Sequence, residues 1–354
     1  MRIALIAPPF IPVPPRIYGG TELFIAYLAE GLKKHEMEVV VYSNGQSTVA
    51  VEKRWLYEKP QWPIEGELYA NLKDINHTAW AVRDACADCD IIHLNNLPGL
   101  VHSRFIATPF VYTMHHPHDP GLSAFYNFYP GVHYVTISEF QKRHESMPHI
   151  RAIHHGIDLS LYKLYERKQE YLSFIGRIAP IKGTHLAIEA AKKAGIPLKI
   201  AGEVQPIFRD YFDAQVKPHI DGKFIEYIGE ADLEAKNDLL GNSMAMLFPI
   251  QWDEPFGLVM IEAMACGTPV LALPGGSVEE IVCDGVSGWV CADVEQMAQR
   301  ARTARTDFVP GNVRAYAARH FSIDRMVKEY VQHYREILEA RPAAFPIPTN
   351  RAVA

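Results

Sequence analysis

Short apolar runs alternate with amphipathic stretches along most of the chain. In the first half the runs predict strands over 2–7, 38–42, 91–94, 110–114 and 134–137. Leu23, Phe24, Tyr27, Leu28 and Leu32 form one stripe of a helix over 22–34. After a polar stretch around 165–170 the pattern restarts, with strands over 171–175, 198–201, 224–228, 245–248 and 269–272 and helices over 184–194 and 257–265. Strand, helix, strand succession implies parallel sheets, so the pattern predicts an α/β protein of two doubly wound, Rossmann-like domains in tandem, residues 1–165 and 166–322. Ligands are then expected at the carboxyl ends of the strands, in the cleft between the domains. A last helix over 323–340 carries Met326, Val327, Tyr330, Tyr334 and Ile337 at helical spacing, and the Pro/Ala-rich residues 341–354 read as a frayed tail.

Composition agrees with this division. With 354 residues, 48% hydrophobic and 21% charged, the chain can fill two cores. A net charge of −6 gives no electrostatic reason to bind nucleic acid or an anionic membrane. Residues 1–9 are a short apolar run stopped by prolines, too brief for a signal sequence or a membrane span. Five scattered cysteines, an odd number, read as free thiols in a reducing cytoplasm.

Charge is placed oddly in one segment. Glu254 falls in a Pro/Gly turn, and Glu262 falls inside an apolar run where Leu258, Ile261 and Ala265 mark a helix starting near Phe256. Glu262 is expected half buried, about two turns in. A carboxylate there needs donors, and spacing alone leaves two sources open, sugar hydroxyls or a neighbouring Arg or Lys. Three glycine-marked turns precede helices: Gly176-Arg177 to Lys182-Gly183, Tyr18-Gly19-Gly20-Thr21-Glu22, and Gly275-Gly276-Ser277. In the first, Arg177, Lys182 and main-chain N–H groups can converge on a diphosphate. His115 ends an apolar run and is expected to line the cleft, whereas His115-His116-Pro117-His118-Asp119 lacks the spacing of a zinc site. Cys86 and Cys89 have no second pair to make one. No G-x-G-x-x-G follows the first strand, and neither a P-loop nor a G-x-S-x-G elbow is present.

Taken together, Glu254 to Glu262, Gly176-Arg177 to Lys182-Gly183, Cys266-Gly267-Thr268-Pro269-Val270 and Gly275-Gly276 with Glu279, Asp284, Gly285 and Gly288 resemble the retaining GT-B glycosyltransferases of family four. Tyr18 to Glu22, Thr113 with His115, Ile137-Ser138-Glu139-Phe140 and Gly156-Ile157-Asp158 extend the resemblance to nearly the whole chain. It implies that Arg177 and Lys182 bind the donor diphosphate, Glu262 the ribose, and Glu254 the transferred sugar. Main-chain amides of Phe256, Gly257 and Leu258 are implied near sugar or phosphate, His115 near the reacting centre, and Gly19 and Gly20 near phosphates or acceptor. It also implies a terminal helix that returns across the first domain, and retention of anomeric configuration without a protein nucleophile. His155 departs from the family, where many relatives have Asn.

The expectation is therefore a nucleotide-sugar-dependent glycosyltransferase acting on a small-molecule, saccharide or lipid-linked acceptor. UDP-glucose is the first donor expected, with GDP-mannose and ADP- or TDP-sugars left open because no residue in the sequence reads the base. No cofactor or metal is expected, since Arg177 and Lys182 can carry the leaving-group charge. The alternatives are an epimerase or phosphorylase of the same fold, or a non-catalytic nucleotide-sugar-binding protein.

Overall fold

A computed structural model describes residues 1–15, 19–63 and 66–340, so Tyr18 and the tail over 341–354 lie outside the described residues. In chain order the first half contains β1 (Arg2–Ile6), α1 (Gly20–Lys34), β2 (Glu38–Ser43), β3 (Glu52–Trp55), α2 (Glu67–Ala85), β4 (Ile91–Leu94), β5 (Phe110–Met114), α3 (Pro120–Tyr126), β6 (His133–Thr136), α4 (Glu139–Arg143) and β7 (Ile150–Ala152). The second contains β8 (Leu172–Ile175), α5 (Thr184–Ala194), β9 (Leu198–Ala201), α6 (Arg209–Tyr211), β10 (Ile225–Tyr227), α7 (Leu233–Asn242), β11 (Ala245–Phe248), α8 (Leu258–Ala265), β12 (Val270–Ala272), α9 (Val278–Ile281), β13 (Gly288–Val290), α10 (Val294–Asp307) and α11 (Pro310–His320). A last helix, α12 (Ile323–Glu339), follows.

All strand pairs are parallel, in two sheets ordered β3-β2-β1-β4-β5-β6-β7 and β10-β9-β8-β11-β12-β13. Each sheet reverses its winding once, at β1/β4 and at β8/β11. Those two switch points are where loops diverge at the carboxyl edge and leave room for a ligand. The central strands are buried on both faces, as parallel strands under two helical layers must be: Ile3 to Ile6, Ile91 to Leu94 and Ala245 to Phe248 are almost inaccessible. This is the GT-B architecture.

The strands and helices expected from periodicity are present, with no end displaced by more than two residues. Helix α8 begins at Leu258 rather than near Phe256, because Gly257 stands at φ 80°, a left-handed conformation that ends the preceding turn. Glu262 is 2% exposed, not half buried. The charged edge strand β3 and helices α2, α10 and α11 had no clear apolar period. On α2, Leu68, Tyr69, Leu72 and Ile75 face solvent and blur the stripe. No helix among the described residues is long and apolar enough to cross a membrane.

Helix α12 packs on α1 in the first half. Met326, Val327, Tyr330, Tyr334 and Ile337 join Phe24, Leu28 and Leu32 in one core. Beneath them the Tyr334 hydroxyl bonds His93 Nδ1 at 2.6 Å, His93 Nε2 pairs with Thr113 Oγ1 at 2.8 Å, and Thr113 Oγ1 meets the Tyr330 hydroxyl at 3.0 Å. Every member of this set is buried, so removing one leaves its neighbour without water to replace it. Tyr334→Phe is accordingly expected to cost about 1–3 kcal/mol. Denaturant unfolding measures it, and an unchanged midpoint would show that the bond contributes nothing to docking α12.

Candidate active site

The loops leaving the two switch points face each other across a cavity of about 320 Å³. Gly20, Thr21, His115 and His155 line it from the first half, and Arg177, Lys182, Trp252 and Glu254 to Leu258 from the second. Gly19 and Glu262 do not line it. Another cavity, about 500 Å³, is lined by Lys168, Met244 and Pro269, just before β8, β11 and β12. It therefore opens at the amino ends of the strands, the wrong edge for a doubly wound ligand site.

The loop after β8 delivers both cations. Lys182 ends a short turn, 180–182, that is tied to the loop after β11 by the Gln251 N–H donating to Ile181 O at 2.8 Å. Its ammonium donates to Glu254 Oε2 at 2.5 Å and lies 4.6 Å from the Trp252 ring centroid. The Trp252 indole donates to the same oxygen at 2.8 Å. Glu254, 7% exposed, is thus held as a buried carboxylate by two donors. Arg177 is less committed: one guanidinium nitrogen reaches Gln205 Oε1 at a long 3.4 Å, and its buried Nε has no partner among the described residues.

Glu262 realises the paired reading. Its Oε1 accepts from Lys236 Nζ and from the Tyr162 hydroxyl, each at 2.8 Å, but its buried Oε2 accepts from nothing among the described residues. Lys236 and Arg177 line a smaller pocket of about 160 Å³ with Gly202, Glu203 and Glu230, at the carboxyl ends of β9 and β10. Glu262 therefore stands behind this pocket with one free oxygen. Of the two cations in the loop after β8, only Arg177 lines this pocket.

On the opposite wall, His115 follows β5 directly and Asn95 follows β4. His115 Nε2 lies 2.9 Å from Asn95 Oδ1, while Asn95 Nδ2 donates to Ile6 O at 3.3 Å, which fixes Oδ1 as the atom facing the imidazole. Nε2 is then the protonated nitrogen and Nδ1 an acceptor. The ring stacks on His155 at 5.7 Å and takes the edge of Phe24 at 4.9 Å. Burial, then the nearby His155, His93 and His116, holds its pKa well below 6.5. Burial also pushes His155 and His93 down to about 3. The wall is thus neutral imidazole, able to hold a hydroxyl without adding charge.

Sequence reasoning missed Asn95, His155, Trp252, Tyr162 and Lys236 as site neighbours. Asn95 alone had a usable signal, its place straight after an apolar run, the position that singled out His115. Glu22, expected only as part of a glycine turn, is buried, and burial raises its pKa. The five cysteines are free, and the described residues contain no group of three or more His, Cys, Asp or Glu that could hold a metal ion.

Two doubly wound sheets facing a cleft lined by Arg177, Lys182, Glu254 and His115 define a two-domain α/β protein. Comparison makes the class specific. Residues 18–161 match the model of Glycosyltransferase Family 4 and residues 163–307 that of Glycosyl transferases group 1. The chain belongs to this family of glycosyltransferases. It is 33% identical over 181 residues to glycogen synthase of Mycobacterium tuberculosis, a match covering 48% of this chain and 43% of that protein, so it spans less than half of the relative's length. Among solved structures, a glycosyltransferase involved in avilamycin A biosynthesis superposes with a TM-score of 0.75 at 25% identity, covering 96% of this chain and 98% of that one. HepE of Anabaena, solved with UDP and glucose, gives 0.74 at 19% identity over 95% and 100%.

The buried histidines set a pH dependence. His93 and His155 near 3, and His77, His133 and His333 near 4, are all lowered chiefly by burial from an unfolded value of 6.5. Below pH 6.5 the unfolded chain therefore takes up protons that the folded one refuses, and stability is lost as pH falls. Glu22 and Asp74, both raised by burial, act in the opposite sense but are fewer. Unfolding free energy is expected to drop between pH 6.5 and 5 with a slope of about 1.4 kcal/mol per pH unit for each net group. Denaturant titrations at those pH values test this, and a flat profile contradicts it.

Proposed function

We propose that the protein is a retaining, metal-independent glycosyltransferase that moves a hexose from a nucleoside diphosphate sugar to a hydroxyl acceptor. The observation that carries the reading is the placing of Arg177 and the Lys182–Glu254 ion pair on one wall of the 320 Å³ cavity, opposite neutral His115. In this reading residues 1–165 form the acceptor side, 166–322 bind the donor, and 323–340 return to the first domain. HepE, which shares only the fold, holds UDP with glucose, and UDP-glucose is the donor to assay first. The acceptor is a small molecule, a saccharide or a lipid-linked sugar, and the location is the cytoplasm.

Each group then has a task. The two cations take the diphosphate and stabilise it as the glycosidic bond breaks, the change of charge that a preorganised site favours. They supply what a divalent metal supplies in other transferases. Phe256, Gly257 and Leu258, at the start of α8, line the cavity, and their main-chain N–H groups are assigned to sugar or phosphate. Glu262 Oε2 receives a ribose hydroxyl. Glu254 and His115 Nδ1 hold sugar hydroxyls, and Gly20 lets the phosphates or acceptor approach the main chain. With no nucleophile assigned to the far face of the sugar, attack comes from the leaving-group side, and the departing phosphate takes the acceptor proton.

Arg177→Ala removes a charge-assisted contact worth roughly 1.5–3 kcal/mol, so nucleoside diphosphate affinity should fall about tenfold to hundredfold, with a smaller effect on the monophosphate. Equal losses for both ligands, or none, would remove Arg177 from the diphosphate site.

The reading as a whole is tested by incubating the protein with UDP-glucose and candidate acceptors in EDTA and following the anomeric proton by NMR. An α-linked product from the α-linked donor is expected. A β linkage means inversion, a requirement for added Mg²⁺ or Mn²⁺ ends the metal-independent reading, and an epimer or free sugar phosphate points to the alternative enzymes.

A further inference from the structure

Glu280 lies on α9, in the second half, but its carboxylate bonds the first. Oε2 accepts from the main-chain N–H of Glu139 at 2.7 Å and Oε1 from that of Phe140, at the start of α4. Oε2 also meets His154 Nε2 at 2.9 Å, just before the chain crosses to the second half. The side chain is 15% exposed, so water competes weakly for these bonds. Burial alone raises its pKa, yet the bonds from His154, Glu139 and Phe140 bring it below the ordinary glutamate value. Its neighbour Glu279 is exposed and makes no such span.

The other end of α9 is tied to the cleft. Ser277, immediately before it, donates its N–H to Glu254 O and its hydroxyl to Phe256 O, both at 2.9 Å. The His154 ring lies 5.8 Å from that of Phe256. One four-residue helix thus joins the turn bearing Glu254 to the first half of the molecule.

We infer that Glu280 is a positioning residue that latches the two halves together and sets the spacing across the cleft between His115 and Glu254. Its kinetic consequence rests on the transferase reading; the latch itself does not. On that reading both cations assigned to the diphosphate, Arg177 and Lys182, lie in the second half, so loosening the latch leaves nucleotide binding largely intact and slows transfer, which needs both walls in register.

The test uses the full-length protein with Glu280→Gln, which keeps the size but loses the charge, and Glu280→Ala. Amide exchange without ligand, read by mass spectrometry over residues 137–145, should accelerate roughly tenfold or more in Glu280→Ala, where both N–H groups lose their acceptor, and by less in Glu280→Gln, whose amide oxygen can keep one of them. Exchange elsewhere in the first half should hold. With UDP-glucose, kcat should fall roughly tenfold to hundredfold while UDP affinity stays within about twofold of wild type. Unchanged exchange at 137–145 overturns the latch whatever the activity. A parallel loss of UDP affinity overturns it too, since Glu280 would then be supporting the donor pocket. If the wild type transfers no sugar at all, the exchange result still decides the latch, and only the transferase reading fails.

Discussion

The cleft exists because the chain crosses between its two halves twice at one place. After β7 it passes through Gly156, and after α11 it returns through Ser322, and the two passages lie against each other. Ile157 N–H donates to Phe321 O at 2.9 Å and Ile323 N–H to Ile157 O at 3.2 Å. A Cβ on Gly156 would fall 2.5 Å from Ser322 O, so no other residue permits this approach without moving the main chain. Arg325, in the first turn of α12, donates to His154 O and His155 O and fastens the second passage to the first. With both passages pinned, the carboxyl edges of the two sheets face one another, and residues as distant in sequence as Gly20 and Leu258 line one cavity.

The same pin decides which side chains lose water. Phe24, on α1, contacts the rings of His93, His115, His155 and Tyr330, so one aromatic residue separates the α12 seam from the cleft. The imidazoles it covers are kept uncharged chiefly by burial. Opposite them stand Arg177 and two ion pairs made within the second half, Lys182 with Glu254 and Lys236 with Glu262. Polar chemistry and charge chemistry are therefore assigned to different walls.

Local pattern carried much of the fold. Helix α5 and strands β9 and β11 have the bounds that their apolar period indicates, since their burial follows from that period alone. Strand β3, with sequence Glu-Lys-Arg-Trp, is a strand only because β2 offers it an edge, a tertiary fact absent from four charged or exposed residues. The acids at 254 and 262 were legible as carboxylates in apolar company, but their partners were not. Tyr162 reaches Glu262 from 100 positions away, and Asn95 reaches His115 from 20. Neither separation follows a helix or strand period. For the same reason nothing in the sequence separates Glu280 from Glu279, adjacent residues of identical chemistry that point into different surroundings.

The ion pair between Lys182 and Glu254 bears on the resident time of anything in the cleft. Lys182 is not a bare ammonium, because Glu254 accepts from it and from the Trp252 indole through one oxygen. An anion that takes Lys182 must displace a carboxylate that stays within reach. Filling is then an exchange of partners, and so is emptying, with Glu254 ready to reclaim the lysine as the anion leaves. On the proposed reading, such a competitor lowers affinity for the departing nucleotide and favours its release.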